Sequence, residues 1–335
     1  MKLSHHPVTV TLARPFATSR GVITDVAQHI IILDWNGLAG HGSTLALDDP
    51  AVLDDCAPLL ADASPFALRR TTEALTATGI PPRVLAAVDM ALHDLLGKAA
   101  GLPLHRLLGL AGLPLAPTAL TVGACPDDEL AARGKELAHW PILKLKMTAH
   151  DDGSRAGVLR RVYSGRIRVD GNGSWTPDQA VTVARELDRH GVELLEQPVA
   201  PGDPDGLRYV HEHSPVPIVA DEDCAAPGDV LRLRGHVSAV NIKLNKCGGL
   251  LAARDMITLA RYAGLKVMLG CKTESALGVT AMSHLGGLAD YLDLDGHVDL
   301  VDDPFTGTRV ETGRVVLPGT PGLGATRCET TREKN

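Results

Sequence analysis

The sequence predicts an α/β protein built on a (β/α)8 TIM-type barrel, with an N-terminal α+β unit in front of it. Three observations carry that expectation. Five short apolar runs end in ionisable groups at Lys146, Asp170, Glu196, Asp221 and Lys243, at steps of 24, 26, 25 and 22 residues. A strand, a loop, a helix and a return loop need about that length. Counting the flanking runs gives eight strands, the number that closes the barrel. The chain before residue 116 reads differently, as strands followed by helices, which marks a separate unit.

In chain order, residues 7–13 and 27–35 alternate or run apolar and are expected as antiparallel strands. The polar stretch Arg14-Pro15-Phe16-Ala17-Thr18-Ser19-Arg20-Gly21 between them is expected as a loop. Gly40-His41-Gly42-Ser43-Thr44 is expected as a second, glycine-rich loop. Helical segments follow near 50–61, 64–77 and 81–100. The last opens on Pro81-Pro82, carries Val84, Ala87, Val88, Ala91, Leu92 and Leu95 on one face, and stops before Gly101. Barrel strands are expected near 119–124, 142–147, 167–172, 192–198, 217–223, 239–245, 266–271 and 291–295. Thr176-Pro177-Asp178-Gln179 has the spacing of a capping box at a helix start. From 305 the chain turns rich in Gly, Pro and Thr, and Arg314–Leu317 is a further strand-like run, expected against the N-terminal unit. The partition is therefore 1–115, 116–304 for the barrel, and 305–335 as a returning segment.

Composition excludes several classes. The 335 residues are 44% hydrophobic and 22% charged, as in an ordinary globular protein. A net charge of −7 without a basic run argues against a nucleic-acid or anionic-membrane partner, and 3% aromatics argue against a base-stacking platform. Six cysteines without Cys-x-x-Cys or zinc spacing are expected as free thiols. The N-terminus lacks a signal-peptide core, and no run of 18 apolar residues occurs, so the expectation is a cytoplasmic protein with no membrane span. No interface is readable, so homo-oligomerisation stays open.

Chemistry concentrates where strands hand over to loops, the catalytic rim of such a barrel. Asp170, Glu196 and Asp221 come from three successive strand ends and repel one another unless a cation lies between them. Hard oxygen ligands from separate strands suit Mg²⁺ better than zinc. Any one carboxylate could instead pair with a lysine or cap a helix; three in register fit that explanation poorly. Lys144 and Lys146 are i and i+2 on one strand and leave the same face. Lys243 arises four strands later, on the opposite side of the ring, so Lys146 and Lys243 can act on opposite faces of a bound substrate. Asp293 and Asp295 form another i, i+2 pair, for which a substrate ammonium is one candidate partner and a surface turn the alternative. Spacing does not fix the roles of Lys272 and Glu274.

These residues resemble the enolase superfamily, in its subgroup of muconate lactonizing enzymes and dipeptide epimerases. Lys144-Leu145-Lys146 is similar to the Lys-x-Lys motif, Asp170-Gly171-Asn172 to Asp-x-Asn, Glu196-Gln197-Pro198 to Glu-Gln-Pro, and Asp221-Glu222 to Asp-Glu. Asn241-Ile242-Lys243-Leu244 with Gly248-Gly249 resembles the sixth-strand signature, and Asp89–Lys98 the capping-domain helix. The resemblance implies a barrel modified at its ends, with a capping domain completed by the C-terminal segment. It implies Mg²⁺ on Asp170, Glu196 and Asp221, Lys146 and Lys243 as the acid/base pair, Lys144 in support, and Asn172 in substrate binding. The implied reaction is 1,1-proton transfer through a metal-stabilised enediolate.

Within the subgroup, Asp293-Leu294-Asp295 resembles the motif that holds a dipeptide's α-ammonium. The stretch up to Arg20 is similar to the loop whose arginine binds the side-chain carboxylate of L-Ala-D/L-Glu, a match that a guanidinium fork makes well. The implied substrate is a dipeptide of peptidoglycan origin. A cycloisomerase, an o-succinylbenzoate synthase or an N-acylamino acid racemase would use the same scaffold without needing the paired acids; a barrel that only binds a ligand is the third alternative. Two departures stand out: Lys272 occupies a seventh-strand position that is often apolar or small in the glutamate-specific members, so a different side-chain pocket is expected, and Asp223 replaces the usual Ser, adding a carboxylate expected near the metal.

Overall fold

The structure is a computed structural model and describes residues 1–18 and 21–328. The chain opens with β1 (Lys2–Thr18), β2 (Gly21–Trp35) and β3 (Leu38–Leu45), an antiparallel sheet in that order. Two expected loops are strand instead. Residues 14–18 continue β1, which crosses a register irregularity between Thr11 and Phe16, and Phe16 then pairs with Ile23. The bulge absorbs Pro15, which cannot donate to a ladder.

Gly40 and Gly42 lie inside β3 for a packing reason rather than a turn. A Cβ at Gly42 would fall 1.9 Å from the Ala87 carbonyl oxygen, and one at Gly40 2.2 Å from that of Ala91. The long helix Pro82–Ala100 therefore rests directly on the sheet backbone, and its face of Val84, Ala87, Val88, Ala91, Leu92 and Leu95 is fully buried. Its start on Pro81-Pro82 and its end at left-handed Gly101 agree with the sequence expectation.

The barrel strands are β4 (Leu120–Val122), β5 (Ile142–Lys146), β6 (Arg166–Asp170), β7 (Val192–Glu196), β8 (Ile218–Ala220), β9 (Ala239–Ile242), β10 (Lys266–Gly270) and β11 (Tyr291–Asp293). They are parallel neighbours in sequence order, and a parallel bridge between Thr118 and Leu292 brings the last back to the first. Most of their fully buried Ile, Leu and Val residues join one continuous core with the surrounding helices, while Leu194 and Val219 form a separate cluster with Ala239 and Met268. The helix Pro177–Arg189 begins with the expected capping box of Thr176 and Gln179.

The run at 314–317 lines a cavity with His105, Leu110 and Leu113, and also forms a hairpin of its own. Arg314–Val316 pairs with Arg309–Glu311, and this hairpin sits under the starts of the barrel strands, where Thr118 N–H donates to the Gly313 carbonyl. The segment that does meet the long helix is later: Leu323 N–H donates to Asp94 Oδ1 at 2.8 Å. All six cysteines are free. Among the described residues no helix is long and apolar enough to cross a membrane.

Candidate active site

Parallel strands all end at one rim, so the last residues of β5, β6 and β7 and those following β8 and β9 converge there. The register places Lys146 beside Asp170 and Asp170 beside Glu196. One carboxylate oxygen from each of Asp170, Glu196 and Asp221 lies within 4.8 Å of the others, and all three residues are buried.

Lys144 sits inside this group. Its Nζ is 3.1 Å from Asp170, 2.6 Å from Glu196 and 2.7 Å from Asp293. Burial would depress its ammonium, but Asp293, Glu196 and Asp170 outweigh burial and raise it well above the ordinary value. Lys146 Nζ donates to Asp170 Oδ2 at 2.6 Å and to Asn172 Oδ1 at 3.0 Å. Across the ring, Lys243 Nζ lies 2.7 Å from Asp221 Oδ2. Burial lowers this lysine as well, and the charges of Asp221 and Glu196 again prevail and raise it. A carboxylate among like charges behaves oppositely: burial, then Asp170, push Glu196 up to about 7.

On the eighth strand, Asp293 Oδ2 meets Lys144 while its Oδ1 accepts no hydrogen bond. Asp295 Oδ2 accepts the Thr121 N–H at 2.6 Å; burial, then the Asp293 charge, raise its carboxyl to about 6. Both line a cavity of about 440 Å³ together with Lys144, Lys146, Asn172, Lys243 and Lys272. The sheet of the N-terminal unit supplies its other wall, with Leu12, Phe16, Val22, Ile23 and Val26. Val22 is 66% exposed, an apolar side chain at the cavity mouth. Arg20, expected at this wall, lies outside the described residues.

Asp223 does not join the carboxylate group. It accepts from Gln197 Nε2 at 2.7 Å and from Gly202 N–H at 2.7 Å, which ties together the loops after β7 and β8. The geometry turns on Gln197, whose φ of 35° is unusual for a side chain other than glycine. That backbone turn lets its Oε1 accept the Asp221 N–H at 3.0 Å. Asn172 has a similar φ of 44° and donates its N–H to Asp170 Oδ1 at 3.0 Å.

Two residues stand in the site with no role expected from spacing. Asn241 Nδ2 donates to Glu196 Oε1 at 2.8 Å. Lys246 Nζ lies 2.5 Å from Asp221 Oδ1 and also donates to the Asp221 carbonyl. The i, i+2 spacing of Asn241 and Lys243 signals that they share a face. Lys246 gives no such signal, because it lies on the one-turn helix Leu244–Cys247 whose direction is set by tertiary packing.

Residues 2–109 match the family model described as "Mandelate racemase / muconate lactonizing enzyme, N-terminal domain", and residues 128–330 match "Enolase C-terminal domain-like". An L-Ala-D/L-amino acid epimerase from Maribacter sp. is 39% identical over 243 residues, covering 72% of each chain. A hydrophobic dipeptide epimerase from Roseobacter litoralis is 36% identical, covering 97% of this chain and 98% of its own. A solved dipeptide epimerase from Enterococcus faecalis, complexed with Mg and L-Leu-L-Tyr, superposes with a TM-score of 0.91 at 29% identity, over 97% of this chain and 99% of that one.

Proposed function

Because the chain belongs to the mandelate racemase/muconate lactonizing enzyme family of the enolase superfamily, we propose that it is a Mg²⁺-dependent dipeptide epimerase, with L-Ala-D/L-Glu as substrate. The observation that carries this reading is the placement of Lys146 and Lys243 on opposite sides of the carboxylate group, both facing one cavity. Two bases facing each other suit removal of an α-proton from one face and delivery to the other.

The residues fit the metal. Asp170, Glu196 and Asp221 offer three hard oxygens, Asp221 lining the cavity and the other two buried beside it, and Glu196 Oε2 accepts no hydrogen bond, meeting only the Lys144 ammonium. When bound, Mg²⁺ supplies positive charge that polarises the substrate carboxylate and lowers the pKa of neighbouring lysines.

The chain's own groups supply the rest. Lys146 Nζ, as the neutral amine, takes the α-proton from one epimer, and Lys243 Nζ, as the ammonium, gives a proton of its own to the opposite face; in the reverse direction the roles exchange. Lys144, held by three carboxylates, stays protonated and acts as a fixed positive charge rather than a base. Asp293, with one oxygen free of hydrogen bonds, and Asp295 bind the dipeptide's α-ammonium. The apolar wall of Phe16, Val22 and Ile23 excludes water from the reacting carbon.

That same wall favours a second reading, in which the epimerised residue is hydrophobic, in keeping with the hydrophobic dipeptide epimerases of Roseobacter litoralis and Enterococcus faecalis. A dipeptide panel in D₂O with Mg²⁺, read by mass spectrometry, separates the two. Deuterium at the α-carbon of the second residue is expected. Its absence from every dipeptide sinks the epimerase reading. Full activity of Asp293→Gly on an N-acylated or cyclic substrate would favour the cycloisomerase or racemase alternatives.

A further inference from the structure

The site lysines divide into two kinds. Lys144, Lys146, Lys243 and Lys246 are each held by a carboxylate at 2.5–2.7 Å. Lys272 lines the same cavity, yet among the described residues its ammonium makes no ion pair or hydrogen bond. Only its backbone is engaged: its N–H donates to Glu274 Oε1 at 3.0 Å. The other side of that backbone is closed by Gly296, where a Cβ would strike the Lys272 carbonyl. The main chain is thus fixed on both sides, and the side chain is left facing the cavity.

An ammonium enclosed near another cation is unfavourable unless an anion joins it. The charges that act most on Lys272 are Lys243, Asp221, Glu222 and Lys246, all from the fifth and sixth strands and their loops. Among charges, Asp293 responds first to Lys144 and then to Lys243, and Asp295 to Asp293 and then to Lys144. The cavity therefore offers two kinds of pole: the carboxylates of the eighth strand, and the ammonium of Lys272 beside Lys243. An ammonium fits the eighth-strand pole, and an anion fits the pole beside Lys243, where the reacting carbon meets its second lysine.

Resting on the dipeptide-epimerase reading, we propose that Lys272 is a specificity residue that binds a carboxylate on the side chain of the epimerised residue. The substrate class is then a dipeptide whose second residue is acidic. The apolar wall of Phe16, Val22 and Ile23 is compatible with this, because it covers the methylenes of a glutamate side chain and keeps water from the ion pair. An ion pair sheltered in this way discriminates strongly against a neutral isostere, which leaves the ammonium unpaired.

The test compares L-Ala-L-Glu with its isostere L-Ala-L-Gln in D₂O exchange with Mg²⁺, separating kcat from KM. The wild type is expected to prefer the Glu dipeptide by roughly 30-fold or more in kcat/KM. In Lys272→Met that ratio should collapse toward unity, mainly through KM for the Glu dipeptide, and Lys272→Glu should turn the preference toward L-Ala-L-Lys. Retained Mg²⁺-dependent thermal stabilisation shows that each variant is folded. A wild-type ratio near unity overturns the inference, as does a ratio unchanged in Lys272→Met. A parallel loss on both dipeptides overturns it too, because Lys272 then serves the α-carboxylate common to both. These outcomes leave the epimerase reading standing, whereas exchange into no dipeptide at all removes both.

Discussion

Lys246 and Asp221 are joined twice: Lys246 Nζ lies 2.5 Å from Asp221 Oδ1 and also donates to the Asp221 backbone carbonyl. Lys243 holds the other oxygen, Oδ2, at 2.7 Å. If Lys243 is to carry a proton to substrate, it has to let go of Asp221, and Lys246 is the contact that remains to fix that carboxylate. Lys246→Met should therefore weaken Mg²⁺ binding by about 10-fold. The shift of Tm with Mg²⁺ concentration reads it directly; an unchanged midpoint would show that Asp221 needs no such anchor.

The opposed lysines give a stereochemical prediction. Lys146→Ala should lose α-proton exchange from one epimer of the substrate and retain some from the other, and Lys243→Ala the reverse. Epimerisation should fall by about 10³-fold in each. NMR of deuterium uptake from separate L,L and L,D dipeptides in D₂O checks this. Equal loss from both epimers in both variants would argue against a two-base arrangement.

Gly42→Ala tests the contact between the N-terminal sheet and the long helix. The added Cβ would lie 1.9 Å from the Ala87 carbonyl oxygen and 3.1 Å from the Ala91 nitrogen, both backbone atoms that cannot rotate away. A loss of about 3 kcal/mol is expected. Gly319→Ala, where a Cβ meets nothing within 4 Å, is the control. Equal denaturant midpoints for the two variants would contradict the packing described.

His284 predicts a dependence on acid. It stacks on His105 with ring centroids 5.3 Å apart, accepts the His105 N–H on Nδ1 at 3.2 Å, and meets the Leu323 carbonyl through Nε2 at 2.8 Å. Burial lowers its pKa to about 4, against 6.5 for an ordinary histidine. The unfolded chain therefore binds the proton first. Stability is fully present above pH 6.5 and is lost as pH falls toward 4, by up to about 3 kcal/mol. Urea unfolding of the wild type and of His284→Gln at pH 7.5 and 4.5 should show a smaller acid loss in the variant. Identical losses would rule out this histidine as the cause.

Much of the site was legible because strand ends are local events. A short apolar run ending in Asp170, Glu196 or Asp221 states its own direction, and the i, i+2 spacing of Lys144 with Lys146 states a shared face. Repetition at steps of 22 to 26 residues then fixes the ring. The loops were less legible. Gly40 and Gly42 look like turn residues in sequence, and only the helix lying on them shows that they are there for close approach. Asp223 looked like another metal-side carboxylate, but a turn at Gln197 with positive φ directs the local hydrogen bonds elsewhere.

The sequence by itself determined the barrel, the carboxylate group and the opposition of Lys146 and Lys243, since all three follow from periodicity along the chain. The tertiary structure decided how the charges are shared: Lys144 among three carboxylates, Lys246 on Asp221, Asn241 on Glu196, and Lys272 with no ion pair among the described residues. The physical reason is distance in sequence. Periodicity places each group on the rim, but which oxygen meets which ammonium depends on loops separated by tens of residues, and those distances exist only once the ring has closed.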